Sequence, residues 1–278
     1  MPYNRVLSVQ DISCVGQCSL TVALPILSAC GQETCILPTA VLSTHTGGSF
    51  KNFTFRDLTD DLPRILDHWV EQGISFDAVY TGYLGNVQEI SYVKDIFEKI
   101  LRKNGVKFVD PAMGDDGVLY TGFDRTYADA MKSLCGQADI IFPNITEASI
   151  MTGNQFRSEY GADYINKLVD ELFALGSRNI ILTGVSYSAD KTGVYVCTAN
   201  ERRYYQHERV ERTCHGTGDI YASTFIGSYL SGRDLFDSAK IAADFTVSCI
   251  EETIDDPEHW YGVKFEKVLP NLIDTLRM

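Results

Sequence analysis

The stretch 213-TCHGTGDIYASTFIGSYLSG-232 decides how this chain is read. From Ile220 onward, Ile220, Phe225, Ile226 and Leu230 recur at near three-to-four spacing, which predicts a helix. Gly216, Thr217, Gly218 and Asp219 therefore sit at its start. Glycine is poor in helix interiors but useful where backbone must come close to a ligand. The free N–H groups and the dipole of a helix start favour an anion. Yet the same four residues carry an acid, Asp219, which there is either a helix cap or a base.

Working outward, apolar strand-like runs alternate with amphipathic helices. Strands are predicted in RVLSVQ, ETCILPTAVLS, FDAVYTGYLG, VKFVDPAMGD, DIIFPN and NIILTGVS. Helices fall between them, including one over 87-VQEISYVKDIFEKILRKNG-105. TGVYVCT and RRYYQHERV then predict a β-hairpin around ANE. Three helices close the chain. Repeated β–α–β order predicts a three-layer α/β/α fold, with a mostly parallel central sheet and a peripheral hairpin. With no internal repeat, low-complexity tract or Pro/Ser linker, residues 1–278 are expected to form one domain.

The bulk numbers narrow the function. Of 278 residues, 45% are hydrophobic and 22% charged, as in an ordinary globular protein. A formal net charge of −13 argues against a broad nucleic-acid or anionic-membrane surface. A nucleotide ligand stays open, because one phosphate pocket needs only local positive potential. The N-terminus MPYNRVLSVQ lacks the pattern of a signal peptide, and no apolar run reaches the length of a membrane span. The 8 cysteines show neither CxxC pairs nor zinc spacing with histidine, so they read as reduced thiols in a cytoplasmic protein.

In sheets of this kind ligands lie beyond the carboxyl ends of the strands. There stand Gln10 and Asp11, Thr44 to Gly48, Thr81 to Tyr83, Asp110, Asp115, Asn144 with Glu147, and Thr183 with Gly184. Singly, each is ordinary turn or cap chemistry. Asn144 and Glu147 in NITEA have the spacing of a capping box; they also suit orientation of water around Mg²⁺, which prefers oxygen ligands. His45 and His215 lie in the loops of the motifs. Cys214 precedes the helix start, where a thiolate is favoured.

The ordered set resembles the ribokinase-like small-molecule kinases and, within them, the pyridoxal/pyridoxine (vitamin B6) kinases. GTGD at 216–219 and NITE at 144–147 resemble the superfamily motifs. THTGG at 44–48, TGYLG at 81–85 and DPAMGD at 110–115 resemble the B6 kinase branch. The resemblance runs from about Val6 to Ile250. It implies ATP-dependent phosphorylation of the hydroxymethyl group of a B6 vitamer, with ATP, Mg²⁺ and in some cases a monovalent cation such as K⁺. It implies Asp219 as base for the alcohol and the N–H groups of Gly216, Thr217 and Gly218 as the anion hole. Asn144 and Glu147 would hold hydrated Mg²⁺, with Asp110 near the cation. Thr183 and Gly184 would face the ATP phosphates. His45, Thr46 and Tyr83 would lie at the ring. DDGVLY, 115–120, would close over the site, with Asp115 near the phosphate path. A homodimer is the family expectation.

The physics agrees with this reading: glycines let backbone N–H groups approach phosphate, and the acid receives the alcohol's proton. A plain cap needs no glycine on both sides of Thr217.

One position departs from the resemblance. Family members often place serine after the first strand's glutamine, where this chain has Asp11. A carboxylate there would favour a pyridinium or an amino-bearing ring. That keeps a rival open: a kinase of the same fold acting on the hydroxymethylpyrimidine precursor of thiamine. A non-catalytic vitamer- or nucleotide-binding module is a second rival. A nicotinamide dehydrogenase is disfavoured, because QDISCVGQCS after the first strand holds no GxGxxG.

Overall fold

The structure is a computed structural model and describes residues 2–212 and 214–277; Thr213, which opens the stretch quoted above, lies outside the described residues. Strand β1 (Arg5–Ser13) leads to helix α1 (Leu20–Ala29), then β2 (Glu33–Leu42) and the short β3 (Phe55–Asp57). Helix α2 (Leu62–Glu71), β4 (Phe76–Thr81), α3 (Val87–Lys99) and β5 (Leu101–Val109) follow. A small hairpin, β6 (Gly114–Asp115) and β7 (Val118–Leu119), precedes α4 (Arg125–Cys135), β8 (Ile140–Ile141), α5 (Ile145–Thr152) and α6 (Ala162–Ala174). Next come β9 (Asn179–Ser188), β10 (Lys191–Cys197) and β11 (Arg202–Glu208). Helices α7 (Thr217–Leu230), α8 (Leu235–Thr253) and α9 (Phe265–Arg277) end the chain.

Among the described residues the main sheet has nine strands, in the order β3-β2-β1-β4-β5-β8-β9-β10-β11. The six from β2 to β9 pair in parallel. β3 at one edge and β10–β11 at the other are antiparallel. The chain winds outward from β1 through β2 to one edge, then returns to β4 and runs to the other. The reversal opens a crevice between the carboxyl ends of β1 and β4, where doubly wound sheets bind ligands. Beside it the β1–β2 register slips between Gln10 and Ile12, opposite Pro38 to Val41. Pro38 has no N–H to give to a ladder.

Side chains alternate across the sheet. Leu7, Val9 and Val79 join the core on the side of α3, α4 and α6, whereas Val6, Ala78 and Tyr80 join the core beneath α7 and α8. Cores on both faces explain why these strands read as nearly continuous apolar runs. A third cluster, with Val22, Ile220, Phe245 and Leu272, ties α1, α7, α8 and α9 together.

One predicted helix is shorter than its sequence pattern. The helix expected over 87–105 ends at Lys99, and Leu101 already pairs with Phe76 in β5. The register then jumps from Phe76–Leu101 to Ala78–Val106, so Arg102 to Asn104 bulge out exposed while the strand resumes. Periodicity alone does not separate the end of an amphipathic helix from a following strand when no glycine or proline stands between them.

Candidate active site

Helix α7 starts where the sequence placed it. Gly216 is its N-cap, in the left-handed region at φ 77°. A Cβ on Gly216 would stand 2.1 Å from the Gln17 carbonyl oxygen, so both conformation and space require glycine. Gly218 is exposed, and a Cβ there would meet nothing within 4 Å. Open space thus lies over the first turn, against its free N–H groups. Thr217 Oγ1 turns back to the Cys214 carbonyl at 3.4 Å.

Asp219 lies on that first turn and crosses to the β1–β4 crevice. Its Oδ2 accepts a 2.8 Å hydrogen bond from the Ser19 main-chain N–H. It comes near Gly82 at the end of β4, where a Cβ would lie 3.7 Å from Asp219 Oδ1. Burial pushes the carboxyl up to about 7; the Ser19 N–H works against this and the Asp11 charge adds to it. A carboxyl poised there takes and releases a proton near neutral pH.

Asp11 is buried beside it. Its Oδ1 accepts from the Ser19 hydroxyl at 2.6 Å and its Oδ2 from the Ser13 hydroxyl at 3.0 Å. Burial raises its proton affinity and the two serines lower it. Burial pushes the Tyr83 phenol up to about 12, with Asp11 and Glu89 adding to the shift. The Tyr83 ring stacks on Phe123 at 5.5 Å, and Phe123 stacks on Tyr127 at 3.7 Å. Together they form an aromatic shelf along the crevice.

The loop after β2 is clasped by aromatic rings. His45 Nδ1 accepts from the Gly47 N–H at 3.1 Å, so Nε2 carries the proton and donates to the Tyr261 carbonyl at 2.9 Å. Both ring nitrogens are thus spent on main chain, and a ligand would meet only the ring itself. His45 lies 4.8 Å from His215, and Phe50 lies 4.6 Å from Trp260. Thr46 is exposed beside this clasp.

Further along the sheet, Asn144 caps α5 and Glu147 completes the box. Asn144 Oδ1 accepts from the Glu147 N–H at 2.8 Å, and Glu147 Oε2 accepts from the Asn144 N–H at 2.8 Å. Glu147 Oε1 also accepts from Met113 N–H at 3.1 Å, and Asn144 Nδ2 donates to the Gly114 carbonyl at 2.9 Å. The pair therefore holds the β6–β7 hairpin, which Gly117 N–H ties again to the Thr146 hydroxyl at 2.9 Å. Asp110 is buried, and its proton affinity is raised by burial, then by Glu147 and Asp219. Burial raises Glu147 as well. Asp115 is exposed on the hairpin and is raised by burial of its carboxyl. Thr183 donates to the Pro143 carbonyl through its N–H at 2.9 Å, and Gly184, at φ 70°, has open space above it.

Among the described residues no three His, Cys, Asp or Glu side chains converge as a metal-binding group. The donor set still suits a hydrated hard cation held through waters. Asp110 is raised by Glu147 and Asp219, Glu147 by Asp115 and Asp219 by Asp11, and no lysine or arginine figures among the causes.

Sequence reasoning missed Ser19, Ser13 and the Phe123 shelf. It also missed the Tyr120 phenol, which is raised by burial and then by Glu147, Asp115, Asp110 and Asp219. Ser19 before a helix reads as a cap, and nothing in the sequence links it to position 219. The eight cysteines are all free, and no described helix is long and apolar enough to cross a membrane.

A parallel sheet with a polar crevice at its switch point, an anion-type helix start and a poised carboxylate define a small-molecule kinase of the ribokinase-like class. A sequence model of the phosphomethylpyrimidine kinase family matches residues 27–262, and the chain belongs to that family. It is similar to a Bacteroides thetaiotaomicron protein assigned as a phosphomethylpyrimidine kinase and solved in a crystal form with pyridoxal. That similarity is 34% identity over 96% of this chain and 95% of the other, at a TM-score of 0.90. It is also similar to pyridoxal kinase from Lactobacillus plantarum, 31% identical over 98% and 97% of the two chains, with a TM-score of 0.90. Pyridoxal kinase of Dictyostelium discoideum is 26% identical over 90% of this chain and 86% of its own.

Proposed function

We propose that this kinase transfers the γ-phosphoryl group of ATP to the 5′-hydroxymethyl oxygen of a B6 vitamer. The observation that carries the mechanism is Asp219 at the mouth of the α7 N-terminus, with its carboxyl raised to about 7. The named activity of the Lactobacillus and Dictyostelium relatives supports the substrate class.

The vitamer ring lies against Tyr83, with Asp11 beneath and the 44–50 loop above, and its hydroxymethyl group points to Asp219. Asp219 takes the alcohol proton as the oxygen attacks the γ-phosphorus. The bond from that phosphorus to the bridging oxygen of ADP breaks. The N–H groups of Gly216, Thr217 and Gly218 receive the charge spread over the transferring oxygens. Thr183 and Gly184 line the remaining phosphates, and the β6–β7 hairpin with Asp115 excludes water. Asp110 and Glu147 would hold hydrated Mg²⁺, which would supply charge neutralisation for the ATP phosphates.

The test is ATP- and Mg²⁺-dependent phosphorylation of pyridoxal, pyridoxine, pyridoxamine and hydroxymethylpyrimidine in parallel, read by product mass. Phosphate on the B6 vitamers supports the reading. Phosphate on the pyrimidine alone transfers the same mechanism to a thiamine precursor, an alternative that the family description and Asp11 favour. No product from any of the four overturns both.

A further inference from the structure

Beneath Asp219 lies a layer of polar atoms that packing does not require. Strand alternation turns Ser8 and Gln10 of β1 and Tyr80 of β4 toward α7. Ser223 lies one helical turn after Asp219 and faces the same layer. All four are 0% exposed. Gln10 Nε2 donates to Ser8 Oγ at 2.8 Å, whereas Gln10 Oε1, the Tyr80 hydroxyl and Ser223 Oγ make no well-formed hydrogen bond, although Ser223 and Gln10 stand close enough to the Tyr80 hydroxyl to bear on it. Their neighbours Phe108, Ala222 and Phe225 are core residues. Phenylalanine and alanine would fill those positions without stranding a polar group, and buried polar atoms are normally paired.

Gly82 shows what the layer faces. A Cβ there would stand 2.2 Å from Gln10 Oε1 and 3.7 Å from Asp219 Oδ1, so the two oxygens approach the same point. Both are acceptors when Asp219 is ionised, and the space between them calls for a donor. The groups that bear on Asp219 electrostatically are Asp11 from β1, Tyr80 from β4, Asp110 after β5, Cys18 before α1 and Tyr120 after the hairpin. None is a cation. Besides the Ser19 N–H, the hydroxyl layer offers the neutral donors on this side.

We propose that Tyr80 and Ser223, acting through Gln10 and a buried water, are positioning residues that orient the Asp219 carboxylate toward the substrate alcohol. The inference rests on the kinase reading above. Burial, then the Asp219 and Asp110 charges, outweigh the opposing contacts of Ser223 and Gln10 and hold the Tyr80 phenol protonated, so it stays a donor near neutral pH. A layer that polarises as a unit is rigid when satisfied, which is what a base in a fixed attitude needs.

The experiment compares wild type with Tyr80→Phe, which removes one oxygen and keeps the ring, and with Ser223→Ala. Two readouts are taken on the full chain: kcat and KM for the alcohol, and the ¹³Cγ line of Asp219 without substrate, identified by its absence in Asp219→Asn. The proposal expects kcat to fall about tenfold with KM within about twofold, and the Asp219 line to move. It is overturned if the line stays put, or if kcat and KM change together in step with a lower Tm. If Tyr80→Phe does not fold, Ser223→Ala decides by the same criteria. Inactive wild type would sink the kinase reading, while the ¹³C line would still judge the layer.

Discussion

The main-chain N–H of Ser19 donates to Asp219 Oδ2 at 2.8 Å across 200 residues of sequence. The bond joins the starts of α1 and α7, so two helix N-termini converge on one carboxylate. Ser19 sits at φ 55°, a conformation that non-glycine residues rarely adopt. Its hydroxyl is held by Asp11 at 2.6 Å, which fixes the strained donor in place. Asp11, Ser19 and Asp219 thus form one hydrogen-bonded line along the floor of the crevice.

Asp219→Asn keeps the shape of the side chain and removes the base. Turnover is expected to fall roughly 10²–10⁴-fold with the fold intact, checked by steady-state kinetics and circular dichroism. Turnover near wild type would remove Asp219 from the mechanism. Stability moves the other way. The folded carboxyl titrates near 7, above its ordinary unfolded value, so the folded state binds its proton more tightly. Its contribution is most favourable below about pH 4 and is lost as pH rises toward 7. The Asn variant should therefore match wild type in acid and exceed it at pH 8 by on the order of 1–2 kcal/mol, measured by urea unfolding at both pH values.

The same titration shapes activity. An ionised base is required, so kcat/KM should drop on the acid side with a midpoint near 7 and level off above it. The Asp219 and Glu147 charges both raise the proton affinity of buried Asp110, so the limb belongs to the cluster rather than to one group. A profile flat from pH 5.5 to 8.5 would sink the assignment.

The two glycines around Thr217 should behave differently. Gly216→Ala forces a side chain into φ 77° and against the Gln17 carbonyl, a cost of roughly 1–3 kcal/mol, and displaces the segment that carries Ser19. Gly218→Ala meets no protein atom, so it should fold with wild-type or slightly higher Tm. If ATP phosphates occupy that open space, Gly218→Ala still loses about tenfold or more in kcat/KM for ATP. Equal kinetics in Gly218→Ala and wild type would place the phosphate elsewhere.

What the sequence revealed follows from where the information sits. The strand ends were readable because parallel strands buried on both faces are apolar runs, and the polar residue that stops each run marks the ligand edge. α7 was readable because Gly216 and Asp219 break an apolar helix pattern at its start. The end of α3 was not, because Ile100 and Leu101 continue the helical period while Leu101 already pairs in β5. Asp11 read as a ring-contacting group, and its hydrogen bonds from the Ser13 and Ser19 hydroxyls were not legible beside that reading. Those contacts depend on long-range packing, and no local pattern encodes them.

Asn144 and Glu147 carry a further prediction, because the cap and the hairpin latch share them. Asn144→Ala loses the cap on α5 and the bond to Gly114. It should cost about 1–2 kcal/mol and speed amide exchange across 114–120, read by hydrogen-exchange mass spectrometry. Glu147→Gln turns an amide donor toward main-chain N–H groups and should raise the Mg²⁺ concentration needed for half-maximal turnover. Chelation should stop wild-type turnover reversibly. Unchanged Mg²⁺ dependence in Glu147→Gln would leave the pair purely structural.

Asp11→Ser tests what the carboxylate selects. Serine is too short to reach both hydroxyls that Asp11 now holds, so Ser19 is freed along with the ring contact. Two effects should separate in the kinetics. Loss of a charge-assisted contact to the ring changes KM and reorders pyridoxal, pyridoxine, pyridoxamine and hydroxymethylpyrimidine. Loss of the Ser19 anchor lowers kcat for all of them by a common factor, because the same donor serves Asp219 whatever the substrate. A common fall in kcat with the ranking unchanged would make Asp11 a support for Ser19 alone. A changed ranking at constant kcat would make it a reader of the ring. The line from Asp11 through Ser19 to Asp219 predicts both changes at once.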